Sequence, residues 1–221
     1  MQVAVIPCHN EGKHIASVVN RTHPYVDRIV VVDNASQDDT TLRASNAGAE
    51  VVSCAEKGMG RATRVGIARA VELGADILVT LDGDGQHDPR DIPALTSALE
   101  RCDMAIGSRD WCQMPKYRRV GNAVLAWLVY AGAGYFRDTQ CGLRAFTRDV
   151  AMHAVTQSPR FGCVSEMIIR ARKAGYRIAE VPVSCTYHRN YRENSTMGPI
   201  RHGVEVALET IRWRWWEVTG L

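Results

Sequence analysis

Short, unbroken apolar runs alternate with longer segments of helical spacing through the first hundred residues. Val3–Ile6, Arg28–Val32, Glu50–Ser53, Ile77–Leu81 and Met104–Gly107 read as strands. Between them, Glu11–Asn20, Asp38–Ala47, Gly60–Leu73 and Asp91–Glu100 read as helices. A strand with no polar alternate position must be covered on both faces, the situation found in parallel sheets. Regular alternation of such strands with helices predicts a doubly wound, mostly parallel α/β sheet. Ligands of these sheets bind outside the carboxyl ends of the strands.

The second half is less regular. A helix follows Arg118-Arg119, another lies around Val164–Lys173, and a strand lies around Arg177–Ser184. Helical spacing returns from Pro199 to Trp216. The expected organisation is a single domain over residues 1–197 and a C-terminal amphipathic helical tail over residues 198–221. The longest apolar stretch, Val120 to Phe136, contains Asn122 and three glycines. It falls short of the ~20 residues of a spanning helix, so it reads as a buried or surface-seated helix.

Composition narrows the class. The chain has 221 residues, 46% hydrophobic and 23% charged, which suits a globular domain. A formal net charge of +3 is too small to argue for nucleic acid. Seven cysteines without a Cys-x-x-Cys pair read as reduced thiols in the cytosol, not as a disulfide or zinc framework. The strand-like run begins at Gln2, so no targeting segment is expected ahead of the fold.

The polar residues after each strand carry the candidate chemistry. Asp82-Gly83-Asp84-Gly85-Gln86 follows a wholly apolar strand, and two carboxylates on a tight turn suit Mg²⁺ or Mn²⁺ that also takes nucleotide phosphates. The plain rival is a turn that ends a strand. Pro7, Asn10 and Glu11 follow the first strand, Asp33 and Asn34 the second, and the topology gathers all three turns on one edge. Asp33 could accept hydrogen bonds from a base or ribose if Asp38 caps the next helix. Lys57-Gly58-Met59-Gly60-Arg61 resembles a phosphate cradle without P-loop spacing, so Lys57, Arg61 and Arg64 could face a nucleotide or merely lead into a helix. Arg118, Arg119, Arg144, Arg189 and Arg192 could converge on a second phosphate or stay solvated. Glu166 could serve the acceptor side or cap its helix. Trp213, Trp215 and Trp216, interleaved with arginines, could sit at a membrane interface or pack on the domain.

Five ordered segments carry a resemblance: Ile6-Pro7-Cys8-His9-Asn10-Glu11, Val31 to Ser36, Leu81 to Pro89, Gly107-Ser108-Arg109 and Asp138 to Phe146. Together, over roughly residues 2–196, they resemble family 2 glycosyltransferases of the dolichyl-phosphate mannose synthase branch. The resemblance implies a GT-A fold and inverting transfer from a GDP- or UDP-linked sugar to a polyprenyl phosphate. It also implies that Asp82, Asp84 and Gln86 bind metal and diphosphate. Pro7, Glu11 and Asp33 fall where the family holds the nucleotide. Arg119, Arg144 and an arginine of the 189–192 loop fall near the acceptor phosphate. The pair Ser195-Thr196 departs from the Ser-Lys common in that branch. The expected setting is cytoplasmic, peripheral at the inner face of the cell membrane, with a membrane-protein partner or a second copy as further partners.

The mechanism that joins these readings needs no strong base. A phosphate monoester, with a second pKa near 6, is largely a dianion at neutral pH and can attack the sugar carbon itself. Rival readings are transfer to a non-lipid glycan acceptor, a sugar nucleotidyltransferase, which would show a Gly-rich basic loop after the first strand, and a non-catalytic nucleotide-sugar-binding subunit.

Overall fold

The computed structural model describes residues 1–112, 114, 116–133, 136–187 and 199–219. Five strands alternate with four helices over the first half: β1 (Gln2–Cys8), α1 (Ile15–Thr22), β2 (Arg28–Asp33), α2 (Thr40–Asn46), β3 (Glu50–Ser53), α3 (Met59–Glu72), β4 (Ile77–Thr80), α4 (Ile92–Ala98) and β5 (Met104–Arg109). There follow α5 (Lys116–Ala133), β6 (Arg144–Thr147), α6 (Arg148–His153), α7 (Cys163–Lys173), β7 (Ile178–Val183) and α8 (Pro199–Thr219).

One seven-stranded sheet runs in the order β3-β2-β1-β4-β6-β5-β7. All neighbours are parallel except around β6, which is antiparallel to both β4 and β5. The sheet is buried on both faces, which explains its apolar strands. Val3, Val5, Val30, Val32, Leu78, Met104, Ile106 and Phe146 share one face with the apolar sides of α3, α6 and α7. Ala4, Ile6, Ile29, Val31, Val79, Ala105 and Ala145 share the other with α1, α2 and α4. The alternation follows from the two-residue period of a strand, and each fully buried Val, Leu or Ile contributes roughly 2 kcal/mol.

The pattern of residues does not announce β6. Only Ala145 and Phe146 are apolar in its four residues, too short a run to show a period. Its backbone is paired on both sides, Ala145 opposite Val79 and opposite Ala105, so its neighbours and not its own propensity make it a strand.

The long apolar stretch of the second half forms α5 and lies on the surface. It buries Asn122, Leu125, Ala126 and Val129 and exposes Val120, Val124 and Trp127. Among the described residues no helix is long and apolar enough to cross a membrane. α8 packs against α5 and α7. Trp213 donates its indole N–H to Ser158 Oγ (2.7 Å) and meets Trp216 edge-on, ring centroids 5.5 Å apart. Arg170 and Lys173 of α7 stack on these rings, Lys173 Nζ 3.9 Å from the Trp216 centroid. Two of the three tail tryptophans therefore pack on the domain, and Trp215 alone is strongly exposed.

Candidate active site

β1, β2, β3 and β4 run in parallel, so their carboxyl ends open on one edge. Pro7 is buried inside β1 opposite Val32. Beyond it, Asn10 and Ala35 both adopt positive φ (58° each), a conformation that costs a residue with a Cβ about 1 kcal/mol or more. Asn10 N–H donates to Ser36 Oγ (3.0 Å) and Gln37 N–H donates to Asn10 Oδ1 (2.8 Å). His9 Nδ1 lies 2.8 Å from the Asn34 carbonyl. These bonds hold the turns after β1 and β2 together despite the strain.

Asp38 and Asn34 work within this scaffold. Asp38 accepts from Gly12 N–H (3.0 Å) and Thr40 N–H (3.0 Å) and also holds the Thr40 hydroxyl. It thus ties the first turn to the start of α2, while Asp39 occupies the N-cap and pairs with Arg43. Asp33 is not left wholly open by this, because its Oδ1 accepts from Ser36 N–H (3.1 Å). Asn34 Oδ1 accepts from Gly58 N–H (3.0 Å), linking the turn after β2 to the loop after β3.

That loop is not a phosphate cradle. Gly60 is pressed so closely on the Ser158–Arg160 segment that a Cβ there would stand 1.9 Å from the Ser158 carbonyl. Arg61 N–H donates to Pro159 O (3.3 Å), so the start of α3 is covered by chain. Arg61 pairs with Glu56 (3.1 Å), and Lys57 is exposed at the rim.

The turn after β4 forms the floor. Gln86 donates from its backbone to Asp84 Oδ1 (2.9 Å) and from its side-chain amide to Asp84 Oδ2 (2.7 Å). The Gln86 side chain thus orients Asp84, leaving its carbonyl oxygen as the atom with ligand chemistry. His87, 4% exposed, places Nε2 3.3 Å from Asp82 Oδ2. Burial disfavours a charge on Asp82, but His87, Arg109 and Arg144 outweigh it and hold its carboxyl below the usual range. Gly142 lies directly over this carboxylate: a Cβ there would meet Asp82 Oδ2 at 2.4 Å. Glu11 is the opposite case. Its Oε2 is buried with no hydrogen-bond partner. Burial, and then the charges of Asp84, Asp82 and Asp38, push its carboxyl up to about 7.

Among the described residues no group of three or more His, Cys, Asp or Glu side chains is arranged to hold a metal ion by itself. Asp82 and Asp84 nevertheless fit a hard cation that completes its shell with phosphate oxygens and water, as Mg²⁺ commonly does. The fit rests on the unpartnered Glu11 oxygen and its raised carboxyl, which register burial and the negative charges of Asp84 and Asp82 beside it.

The residues of the second half behave differently. Arg144, 2% exposed, donates to three backbone carbonyls: Cys141 (2.9 Å), Val164 (2.7 Å) and Thr139 (2.8 Å). It is a clamp on the chain that carries Gly142, which corrects the expectation of a phosphate contact. Glu166, 0% exposed, accepts from Thr156 Oγ1 (2.5 Å), Gln157 N–H (2.6 Å) and Ser158 N–H (2.7 Å). It braces the segment that covers α3, so neither helix capping nor an acceptor role describes it. Arg119 donates to the carbonyls of Met114 (2.8 Å) and Cys112 (2.9 Å) at the start of α5. Arg189 and Arg192 lie outside the described residues.

Reasoning from residue types alone passed over His87, Gly142 and the Arg109–Asp138 pair. Asp138, fully buried, takes Arg109 through both oxygens (2.6 and 2.9 Å) and also Asn122 (3.2 Å) and Gln140 N–H (3.1 Å). The signal was their place inside the five ordered segments, since nothing in their local pattern marks them.

The family model for glycosyl transferase family 2 matches residues 3–152. The chain belongs to this family. It is therefore a glycosyltransferase, and its sheet is that of the GT-A fold. An uncharacterized protein of Methanocaldococcus jannaschii is 37% identical over 83% of this chain and 80% of its own length. A UDP-N-acetylglucosamine–dolichyl-phosphate N-acetylglucosaminyltransferase of Methanococcus voltae is 34% identical over 83% and 84%. An undecaprenyl-phosphate mannosyltransferase of Micrococcus luteus is 29% identical over 96% and 93%. Among solved structures, glucosyl-3-phosphoglycerate synthase of Mycobacterium tuberculosis, in complex with Mn²⁺, UDP and glucosyl-3-phosphoglycerate, superposes with a TM-score of 0.78 at 22% identity, covering 98% of this chain and 79% of that one. At that identity the likeness bears on the fold.

Proposed function

We propose that this enzyme moves a hexose (mannose, glucose or N-acetylglucosamine) with inversion from a GDP- or UDP-linked donor to a polyprenyl phosphate such as dolichyl phosphate. The observation that carries the reading is the Glu11 carboxyl, buried at this edge without a hydrogen-bond partner and pushed up by burial and by the charges of Asp84 and Asp82 beside it. Such a site gains most from a ligand that brings a divalent cation with it. The dolichyl- and undecaprenyl-phosphate relatives support the acceptor class.

In this reading Asp82 and Asp84, with the Gln86 carbonyl oxygen, hold Mg²⁺ or Mn²⁺, which when bound stabilises charge on the departing nucleoside diphosphate. Pro7, Asn10, Glu11, Asp33, Asn34 and Lys57 surround the nucleotide, with Asp33 facing the base or ribose. His87 and Gly142 fix the rotamer of Asp82, and Arg144 holds Gly142 in place. The acceptor phosphate, already a dianion at neutral pH, supplies the attacking oxygen without a general base. Its alignment falls to Arg119 and the arginines of residues 189–192. A lipid acceptor requires contact with a bilayer. The exposed stripe Val120, Val124 and Trp127 on α5, a helix with no acidic residue, suits the inner face of the cell membrane.

The test is incubation of the purified protein with Mn²⁺, dolichyl phosphate and a panel of labelled nucleotide sugars. A solvent-extractable glycolipid with one donor is the expected result. Transfer to a soluble phosphorylated or glycan acceptor alone overturns the lipid assignment. Pyrophosphate release from a nucleoside triphosphate would instead identify a nucleotidyltransferase.

A further inference from the structure

The solvent face of α8 carries Val204, Leu208, Ile211, Trp215 and Val218, which are 54%, 63%, 50%, 68% and 77% exposed. Their spacing is four, three, four, three. This is the seam of a helix that pairs with another helix, with Leu208 and Trp215 at a positions and Val204, Ile211 and Val218 at d. The body of the domain does not use this face, since Val206 and Thr210 on the other side are the buried positions.

We propose that two copies of this chain associate through α8 in antiparallel orientation. Antiparallel seams set a positions opposite d positions. Leu208 then meets the partner's Ile211 at the centre, and Trp215 meets the partner's Val204 at each end, large against small. A shallow, open depression lined by Pro159, Arg160, Val204, Glu205, Leu208 and Glu209 lies beside Val204. It offers a recess where this register delivers the partner's indole. Glu205, which is also paired with Arg160 of its own chain (3.1 Å), and Arg212 occupy the positions flanking the seam, and the same register faces each Glu205 with the partner's Arg212. A parallel pair would face Arg212 with Ala207 instead. The five apolar side chains expose roughly 500–600 Å² on one copy. Covering both seams with their flanking residues approaches about 1,200 Å², the lower end for specific interfaces.

Charge favours a second copy over lipid on this helix. α8 mixes Glu205, Glu209 and Glu217 with Arg201, Arg212 and Arg214, whereas the charged residues of α5 are all basic. Charges of both signs beside a seam suit a second copy that presents the same pattern, while the purely basic α5 suits an anionic layer.

Sedimentation velocity without lipid or detergent tests the proposal. The wild type is expected to be dimeric at about 50 µM. Ile211→Glu, at a half-exposed position, should raise the dimer dissociation constant by about 30-fold or more, with a melting curve that matches the wild type once both are dilute enough to be monomeric. Arg212→Glu should weaken the dimer, and Glu205→Arg combined with Arg212→Glu should restore it. Orientation is read by mixing Val204→Cys and Trp215→Cys proteins, each with the exposed Cys112 replaced by serine. A disulfide between the two variants is expected, and self-linked Val204→Cys would overturn the antiparallel register. A wild type monomeric at that concentration overturns the pairing. So does a dimer indifferent to Ile211→Glu. A monomer that floats with phosphatidylglycerol vesicles, and loses flotation in Ile211→Glu, assigns the face to lipid instead.

Discussion

The edge after β1 and β4 and the region around β6 and α7 both hold buried or half-buried charges, yet they treat them in opposite ways. Around β6, Arg144, Glu166 and Asp138 have their answers inside the protein. Arg144 faces three carbonyls, Glu166 three donors, and Asp138 the fork of Arg109. At the strand-end edge Glu11 keeps an oxygen without a partner, and Asp82 and Asp84 add like charge beside it. A charge satisfied from within holds the fold, because removing it strands its buried partners. A buried carboxyl pushed up by neighbouring like charge gains from a cation bound beside it, and perturbed groups of this kind cluster at functional sites.

The comparison can be broken by substitutions on either side. Asp84→Ala should lower transfer by about 10³-fold or more, since the departing diphosphate loses its cation, with an unchanged urea midpoint. A variant with undiminished metal-dependent turnover would end the assignment of this edge. Arg144→Met should do the reverse. Three carbonyls lose their donor, and unfolding should become easier by about 3–5 kcal/mol in urea titration, with activity falling only as far as Gly142 and Asp82 shift.

Glu11→Gln sharpens the contrast through pH. The folded carboxyl titrates at about 7, above its ordinary value near 4.5, so the folded protein holds this proton more tightly than the unfolded chain. Its contribution to stability is therefore fully present below pH ~4.5 and lost as pH rises through about 7. In the presence of EDTA, Glu11→Gln should gain on the wild type between those values, by at most about 3 kcal/mol at pH 8. Urea midpoints at pH 4.5 and 8 measure this, and Mn²⁺ should shrink the difference. A gap independent of pH would show that the carboxylates do not crowd one another. The smallest effect is expected for Glu166→Gln. One charge-assisted acceptor is lost and the fold should weaken by about 1–2 kcal/mol, while turnover per folded molecule should stay near the wild-type value.

Particular residues show what was legible in the chain. The run Ile77 to Leu81 followed by Asp82-Gly83-Asp84 is readable because a strand covered on both faces carries no charged residue until it ends, Thr80 being its one polar position. The first five strands were legible in this way, each within two residues of its observed ends. β6 was not, since pairing on both sides supplies what its four residues lack. Arg144 and Glu166 were misjudged for a related reason. A charged residue looks the same in sequence whether its partner is a ligand or a carbonyl twenty residues away, as Val164 is for Arg144.

The sequence by itself determined the layered sheet, the edge on which its strand-end turns gather and the family to which it belongs. Local hydrophobic period and ordered turns carry that information without any long-range contact. The tertiary structure alone decided which charges are answered from within, that Gly142 lies over Asp82, and that the apolar residues of α8 divide between a packed face and an exposed seam. Each of these depends on which distant atoms come within a few ångströms, and spacing along the chain does not encode that.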